Sequence, residues 1–512
     1  MLKVKKVGRE TMDVELKDIL AAHEIVGAVY AVFDKDKLIE TAAFGWANIE
    51  QQRLMNCSCN MRLASLSKVV TTTAIMQLRE QNKLELDNDI SDYLGYLVRN
   101  PHYPSQPITV RQLMMHTGSL ADSGGYNALV EYDPALLLTT PLRELIDGGW
   151  RQAAGDWYSE RTFLNKLPGE HFLYSNLGYI ILGSIVELLS GMNFCAYCET
   201  NILQPLQMPT AFDAALVDWE NTATLYKYDS NGSLRPVKGN YQGVRPVPIA
   251  VKLPLGNAAG FGPQGGLMCS VPDYAKFLGM IANGGSYQGV RLLTQKSCDL
   301  LQQLQWFAPL DSGGDHAEIG YWQQGLDLQV TDDLVKGLRL AGHGGDAYGL
   351  IAGAYFDRMT GKGFVMAFNG GRYLPDADSP GFLTVETAIA GAIVRRHADF
   401  FAKQASIISF TNGARAVVVN SRLVELPGEL SIDGELVPEI TLNDVFGTPI
   451  ASLDAERGEI TLANGNKTLK FVVGKNYAIA ANGERILLQQ APYYKAGHFW
   501  LPLGTMREYF AS

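Results

Sequence analysis

Ser65 and Lys68 stand three residues apart in the run Arg62-Leu-Ala-Ser-Leu-Ser-Lys-Val-Val-Thr-Thr-Thr-Ala-Ile-Met-Gln-Leu78, at the point where an apolar helix begins. Positions i and i+3 share one face of a helix, so the Lys68 amine reaches the Ser65 hydroxyl. A helix start also offers free N–H groups and the positive end of its dipole, and both favour the anion formed during acyl transfer. A serine nucleophile with a neighbouring proton acceptor is built in this way. Taken alone, the pair reads better as an ordinary helix start carrying an exposed lysine, and the catalytic reading needs support from elsewhere in the chain.

Two further groups add chemistry. In Leu167-Pro-Gly-Glu-His-Phe-Leu-Tyr-Ser-Asn-Leu-Gly-Tyr179 a Pro-Gly turn leads to Tyr174 and Asn176 and then to an apolar helix over about 180–190. With extended backbone between them, the phenol and the amide point into one cleft; by themselves they also read as a turn followed by a helix cap. In Leu340-Ala-Gly-His-Gly-Gly-Asp-Ala-Tyr-Gly-Leu350, His343 precedes two glycines that let a substrate backbone approach a strand edge.

In this order the three sites resemble the class C β-lactamase and D-alanyl-D-alanine carboxypeptidase family of serine hydrolases, which reads Ser-x-x-Lys, Tyr-x-Asn, then Lys/His-x-Gly. Ile108-Thr-Val-Arg-Gln-Leu-Met-Met-His-Thr-Gly-Ser-Leu120 is similar to another family segment, with Gly118 and Ser119 in swapped order, and so is Gly260–Phe277. The resemblance spans about 15–400. It implies that Ser65 forms an acyl-enzyme, with Tyr174 and Lys68 both candidates for the base: a phenol near two cationic groups ionises more easily, and a crowded, partly buried lysine gives up its charge. It implies that Asn176 positions the substrate and Lys68. The backbone N–H groups of Ser65 and Asp346, the latter just after Gly345, are implied as the oxyanion hole. His343 stands where β-lactamases carry lysine, which leans the expectation toward ester or peptide substrates rather than β-lactams. Tyr348, Tyr241 and the 120–165 segment are expected to shape the pocket. His116 is assigned to a loop, after a helix capped by Thr109 and Gln112.

These groups need a scaffold. Gly27–Phe33 and Leu38–Phe44 read as a hairpin around a polar turn, and Gly349–Phe356 with Phe364–Phe368 reads as a second. Strands at both ends and helices between predict an α+β fold: one antiparallel sheet flanked by helices, with a helical region beside it. The expected hydrolase domain is 1–404.

From 405 to 512 the texture changes to short strands with Asn412-Gly, Asp433-Gly, Asn464-Gly and Asn482-Gly turns. Leu436–Phe446 and Trp500–Phe510 form a weak repeat at a spacing of 64, each placing an aliphatic-Pro dipeptide before an expected short helix. This stretch resembles the copper amine oxidase N-terminal-like module, a small non-catalytic α+β unit, which implies a cell-wall or protein contact, or a spacer. The module's name does not bring copper, and His498 is the one histidine after residue 404.

Composition narrows the rest. The 512 residues carry a formal charge of −10 from 53 acidic and 43 basic side chains, with no Lys/Arg block, which argues against a nucleic-acid partner. No apolar run approaches the length of a membrane span. The basic start lacks an apolar core and a cleavage site, so the chain as written is expected to be cytoplasmic, or extracytoplasmic if its N-terminus is incomplete. Cys195 and Cys198 are expected as buried positions of a helix capped by Asn193, and no ligand set suggests a metal or other cofactor. A small-molecule or peptide substrate is expected. The alternative from another class is a non-hydrolytic protein that binds peptidoglycan fragments in the same cleft.

Overall fold

The computed structural model describes residues 9–132, 140–147, 159–237, 254–303, 305–307, 321, 323–331, 333–336, 338–358 and 360–401, together with short strands between 416 and 502. The chain divides into two compact units, the first built from residues up to 402 apart from two short stretches, the second mainly from 403–512.

The first unit is organised around a nine-stranded sheet. Its N-terminal strands are β1 (Gly27–Asp34), β2 (Lys37–Asn48) and β3 (Arg53–Leu54). The others are β4 (Trp306–Phe307), β5 (Gln323–Gln324), β6 (Gln329–Thr331), β7 (Leu340–Ala347), β8 (Leu350–Asp357) and β9 (Lys362–Asn369). The order is β4-β5-β6-β7-β8-β9-β1-β2-β3, with antiparallel neighbours throughout. β1 joins β9 from Gly27↔Asn369 to Asp34↔Lys362, so the early and late parts of the unit close the sheet, as the two predicted hairpins require.

Residues 27–33 of β1 are all buried, the mark of a strand covered on both faces. On one face lies α5 (Val271–Ala282), whose Gly279 lets the helix approach the strands: a Cβ there would sit 2.2 Å from the Lys35 carbonyl oxygen. The other face receives α1 (Arg9–Ala22) and α6 (Thr384–Arg396), which also pack on each other.

The helical region centres on α2 (Ser67–Glu80) against α4 (Asn176–Ser190), with α3 (Val110–Met114), the short helix capped by Thr109, also packed on α4. Every residue of α4 from Leu177 to Glu187 is buried, so its apolar sequence is that of a helix enclosed on all sides. The Ser175 side chain caps its N-terminus and Gly191, in the left-handed region, ends it. Asn193 caps the next short helix, where Cys195 and Cys198 are buried as expected. Among the described residues no single helix is long and apolar enough to cross a membrane.

In the second unit the described residues form small antiparallel sheets. Leu436–Pro438 pairs with Trp500–Pro502, so the two aliphatic-Pro dipeptides of the weak repeat lie side by side. The helices expected after them fall outside the described residues.

Candidate active site

Ser65 sits in a single 3₁₀ turn, Ala64–Leu66, that runs directly into α2. Ala64 before it has φ 49°, a left-handed conformation that costs a side-chain-bearing residue roughly 1 kcal/mol. Ser65 is partly exposed while its neighbours are buried, so the hydroxyl alone is presented to a cleft. Lys68, one helical turn on, is fully buried.

The Lys68 amine has three oxygen partners: Ser65 Oγ at 3.1 Å, Asn176 Oδ1 at 2.8 Å and the Gln264 carbonyl at 2.6 Å. Burial pulls its pKa down to about 7, against a smaller opposing pull from Asp327 and Asp122. A neutral amine fits this environment. It donates two N–H groups to Asn176 and Gln264, which only accept here, and turns its lone pair to the Ser65 hydroxyl.

Asn176 is the first residue of α4, and Asp122 fixes which way it faces. Asp122 Oδ2 accepts from Asn176 Nδ2 at 2.8 Å and from the Asn176 backbone N–H at 2.9 Å. Its Oδ1 accepts from Leu177 N–H at 3.0 Å and from the Ser175 hydroxyl at 3.1 Å. One carboxylate thus caps the helix and presents the Asn176 carbonyl oxygen to Lys68.

Tyr174 lies between these groups. Its side chain lines the same cleft as Ser65, its ring stands 4.8 Å from Lys68 Nζ, and it stacks on His116 at 4.2 Å. The sequence reading gave the phenol a route to easier ionisation through nearby cations. The structure does the opposite, since burial raises its pKa well above the ordinary value and Lys68 is itself shifted toward neutrality.

His343 lies on β7, fully buried. Its Nδ1 is 2.5 Å from the Gly344 carbonyl and must donate to it, which leaves Nε2 to accept from the Tyr321 hydroxyl at 2.9 Å. Burial and Lys68 hold its pKa down to about 3, so the ring is neutral. β6 covers only Leu340–Gly342 of β7, and beyond His343 that edge turns to the 3₁₀ turn. Gly345 makes the approach feasible: a Cβ there would lie 2.6 Å from the Leu63 carbonyl oxygen and 3.4 Å from Ser65 N. Asp346 follows on the exposed end of the strand and lines the same cleft as Ser65 and Tyr174, which has a volume of about 320 Å³. Tyr348 is exposed beyond it; Tyr241 and parts of the 120–165 segment lie outside the described residues.

Several participants escaped the sequence reading. His116 is in the loop after the Thr109/Gln112-capped helix, as expected, but it belongs to the site: φ 57° turns its ring beneath Tyr174, and Nδ1 accepts the Ser175 N–H at 3.1 Å. Asp327, fully buried with φ 71° in the β5–β6 turn, accepts from the Tyr179 hydroxyl at 2.5 Å and from the Thr72 hydroxyl at 3.2 Å. Burial raises its pKa to about 7 while Tyr179 and Lys68 pull it back. No spacing rule connects residue 327 with residue 68.

His116, Asp327 and His343 hold donor atoms within 4.8 Å of one another, close enough to suit a metal ion. Here, however, His343 Nε2 and Asp327 Oδ1 already accept phenol hydrogen bonds, and a cation there would lie beside the Lys68 amine.

The beta-lactamase family model matches residues 12–388, and the copper amine oxidase N-terminal domain matches 436–512. "Penicillin-binding protein 4*" of Bacillus subtilis is 28% identical over 186 residues, 36% of this chain and 37% of that protein, so the chain covers little more than a third of that relative. A Mycobacterium tuberculosis protein, Rv1367c, is 26% identical over 362 residues, 66% of this chain and 83% of that protein. Among solved structures, the D-amino acid amidase of Ochrobactrum anthropi SV3 superposes with TM-score 0.54 at 19% identity, covering 77% of this chain and 99% of that one. The octameric penicillin-binding protein homologue of Pyrococcus abyssi gives TM-score 0.53 at 18% identity over 96% of this chain and 99% of its own. With that match over most of the first unit and with this fold, the chain belongs to the beta-lactamase and penicillin-binding-protein-like family of serine hydrolases.

Proposed function

We infer that the protein hydrolyses an ester, or a D-amino-acid peptide or amide, through an acyl-enzyme on Ser65. The observation that carries this reading is the Lys68 amine, buried, held near neutrality and 3.1 Å from Ser65 Oγ. Ser65 Oγ attacks the substrate carbonyl carbon as its proton passes to Lys68 Nζ. The tetrahedral oxyanion is met by the backbone N–H groups of Ser65 and Asp346. Collapse breaks the bond to the leaving alcohol or amine, which takes up the proton from Lys68, with the Tyr174 hydroxyl beside Ser65 in the cleft as the relay. Water then attacks the acyl carbon and gives a proton to the same amine, which returns it to Ser65 Oγ as the acyl–oxygen bond breaks, releasing the acid and restoring free Ser65 and the neutral amine. Asn176 holds Lys68 and the substrate amide or ester in register.

β-Lactams are the less favoured substrates. Recognition of their carboxylate calls for a cation, whereas His343 is neutral and, among the described residues, no lysine or arginine lines the cleft. The C-terminal domain is read as a contact for the cell wall or another protein.

The test is covalent labelling of the purified protein by a fluorophosphonate and by a fluorescent penicillin, with adducts counted by intact mass. One fluorophosphonate adduct, absent in Ser65→Ala, is the expected result, with weak or no penicillin labelling. A folded protein that takes neither probe refutes the hydrolase reading.

A further inference from the structure

The cleft that opens on Ser65 has a second polar feature on the wall supplied by residues 375–386. Glu386, on the first turn of α6, lines the cleft and is 7% exposed. One carboxyl oxygen, Oε2, accepts the Leu383 backbone N–H at 2.9 Å. The other has no protein hydrogen-bond partner among the described residues and is not among the buried unpartnered atoms, so it is open to whatever fills the cleft. Around it the wall is apolar, built from Ile351, Tyr355 and Phe382. Asp346 lines the same cleft, and its charge adds to the burial that opposes ionisation of Glu386. Lys227 also acts on Asp346, but it is exposed and does not line the cleft.

We propose that Glu386, with Asp346, forms a subsite for a protonated amine on the substrate, so that the enzyme acts on acyl groups that carry an ammonium. This rests on the acyl-transfer reading and specifies its substrate class. A buried carboxyl with a spare oxygen, a second carboxyl lining the same cleft and no lysine or arginine on its walls leave the counter-charge to the ligand. The raised pKa of Glu386, about 8 and caused first by burial, is what a carboxyl shows when that counter-charge is missing. A cleft of about 320 Å³ suits an amino-acid-sized group rather than a long polymer. A neutral acyl group of the same shape leaves both carboxyls unmatched. The site selects by charge, as sites built to bond a polar group reject the analogue lacking it.

The experiment measures how matched amides slow fluorophosphonate labelling of Ser65 in the full chain. D-Phenylalaninamide, its L-enantiomer, N-acetyl-D-phenylalaninamide and 3-phenylpropionamide share the ring and differ in the amine. The expected result is half-protection by at least one free-amine compound at a concentration roughly ten- to a hundredfold lower than by either neutral analogue. That ratio collapses in Glu386→Gln, which keeps an oxygen for the Leu383 N–H, and falls less in Asp346→Asn. Equal protection by charged and neutral amides in the wild type overturns the proposal without any variant, and so does a ratio that survives Glu386→Gln. A wild type that takes no fluorophosphonate removes the acyl-transfer reading itself, and the subsite falls with it.

Discussion

Two buried carboxyls lie near Ser65, and they differ in what surrounds them. Asp327, in the polar interior, is hydrogen-bonded by Tyr179 and Thr72 and shares its environment with the Lys68 amine. Glu386, on the cleft wall, shares its surroundings with apolar side chains and keeps one oxygen without a partner. Burial raises both, to about 7 and about 8. The difference separates a carboxyl tied into the interior from one open to the cleft: Asp327 partly opposes the burial that drives Lys68 toward neutrality, whereas Glu386 has one oxygen without a protein partner on the cleft wall.

The interior side of this comparison breaks first at the amine. Lys68→Met is expected to lower the rate of Ser65 acylation by roughly a hundredfold or more, read from stopped-flow or intact-mass kinetics, because the Tyr174 phenol, the other group lining the cleft beside Ser65, is kept protonated by burial. Removing the carboxylate that orients Asn176 comes next. Asp122→Ala strips four hydrogen bonds from the start of α4 and is expected to cost about 2 kcal/mol of stability by denaturant melt, together with a loss of acylation rate.

Asp327→Asn sharpens the electrostatic claim. The Asp327 charge raises the Lys68 pKa, so removing it lets burial lower that pKa further. Acylation needs the free amine, which forms as pH rises through its pKa. The acid limb of the rate profile is therefore expected near pH 7 in the wild type and at lower pH in the variant. The smallest effect concerns the strained turn. Ala64→Gly relieves φ 49° but frees the unfolded chain, so stability by thermal melt is expected to move by less than about 1 kcal/mol.

Much of this site was legible because its chemistry is local in sequence. Ser65 and Lys68 meet through one helical turn, and Tyr174 and Asn176 through an extended tripeptide at a helix start. The sheet was legible through its hairpins, whose alternation and turns are short-range signals. Asp122, Asp327 and Glu386 were not. Each acts through tertiary neighbours, and an isolated acidic residue near a turn or helix start reads as a solvated cap. His116 was placed in the right loop but given no role, because only the fold brings Tyr174 onto its ring. The phenol's direction of shift was missed for a related reason: spacing shows which charges are near, but not how deeply the group is desolvated.

The central claim is that a neutral, buried Lys68 activates Ser65. Its most direct test is the pH dependence of the fluorophosphonate labelling rate, with the adduct mapped by peptide mass. The account predicts a single adduct on Ser65, a rate that rises through about pH 7 and levels above it, and loss of that limb in Lys68→Met. An adduct elsewhere, or a rate on Ser65 with the same pH profile in wild type and Lys68→Met, contradicts it.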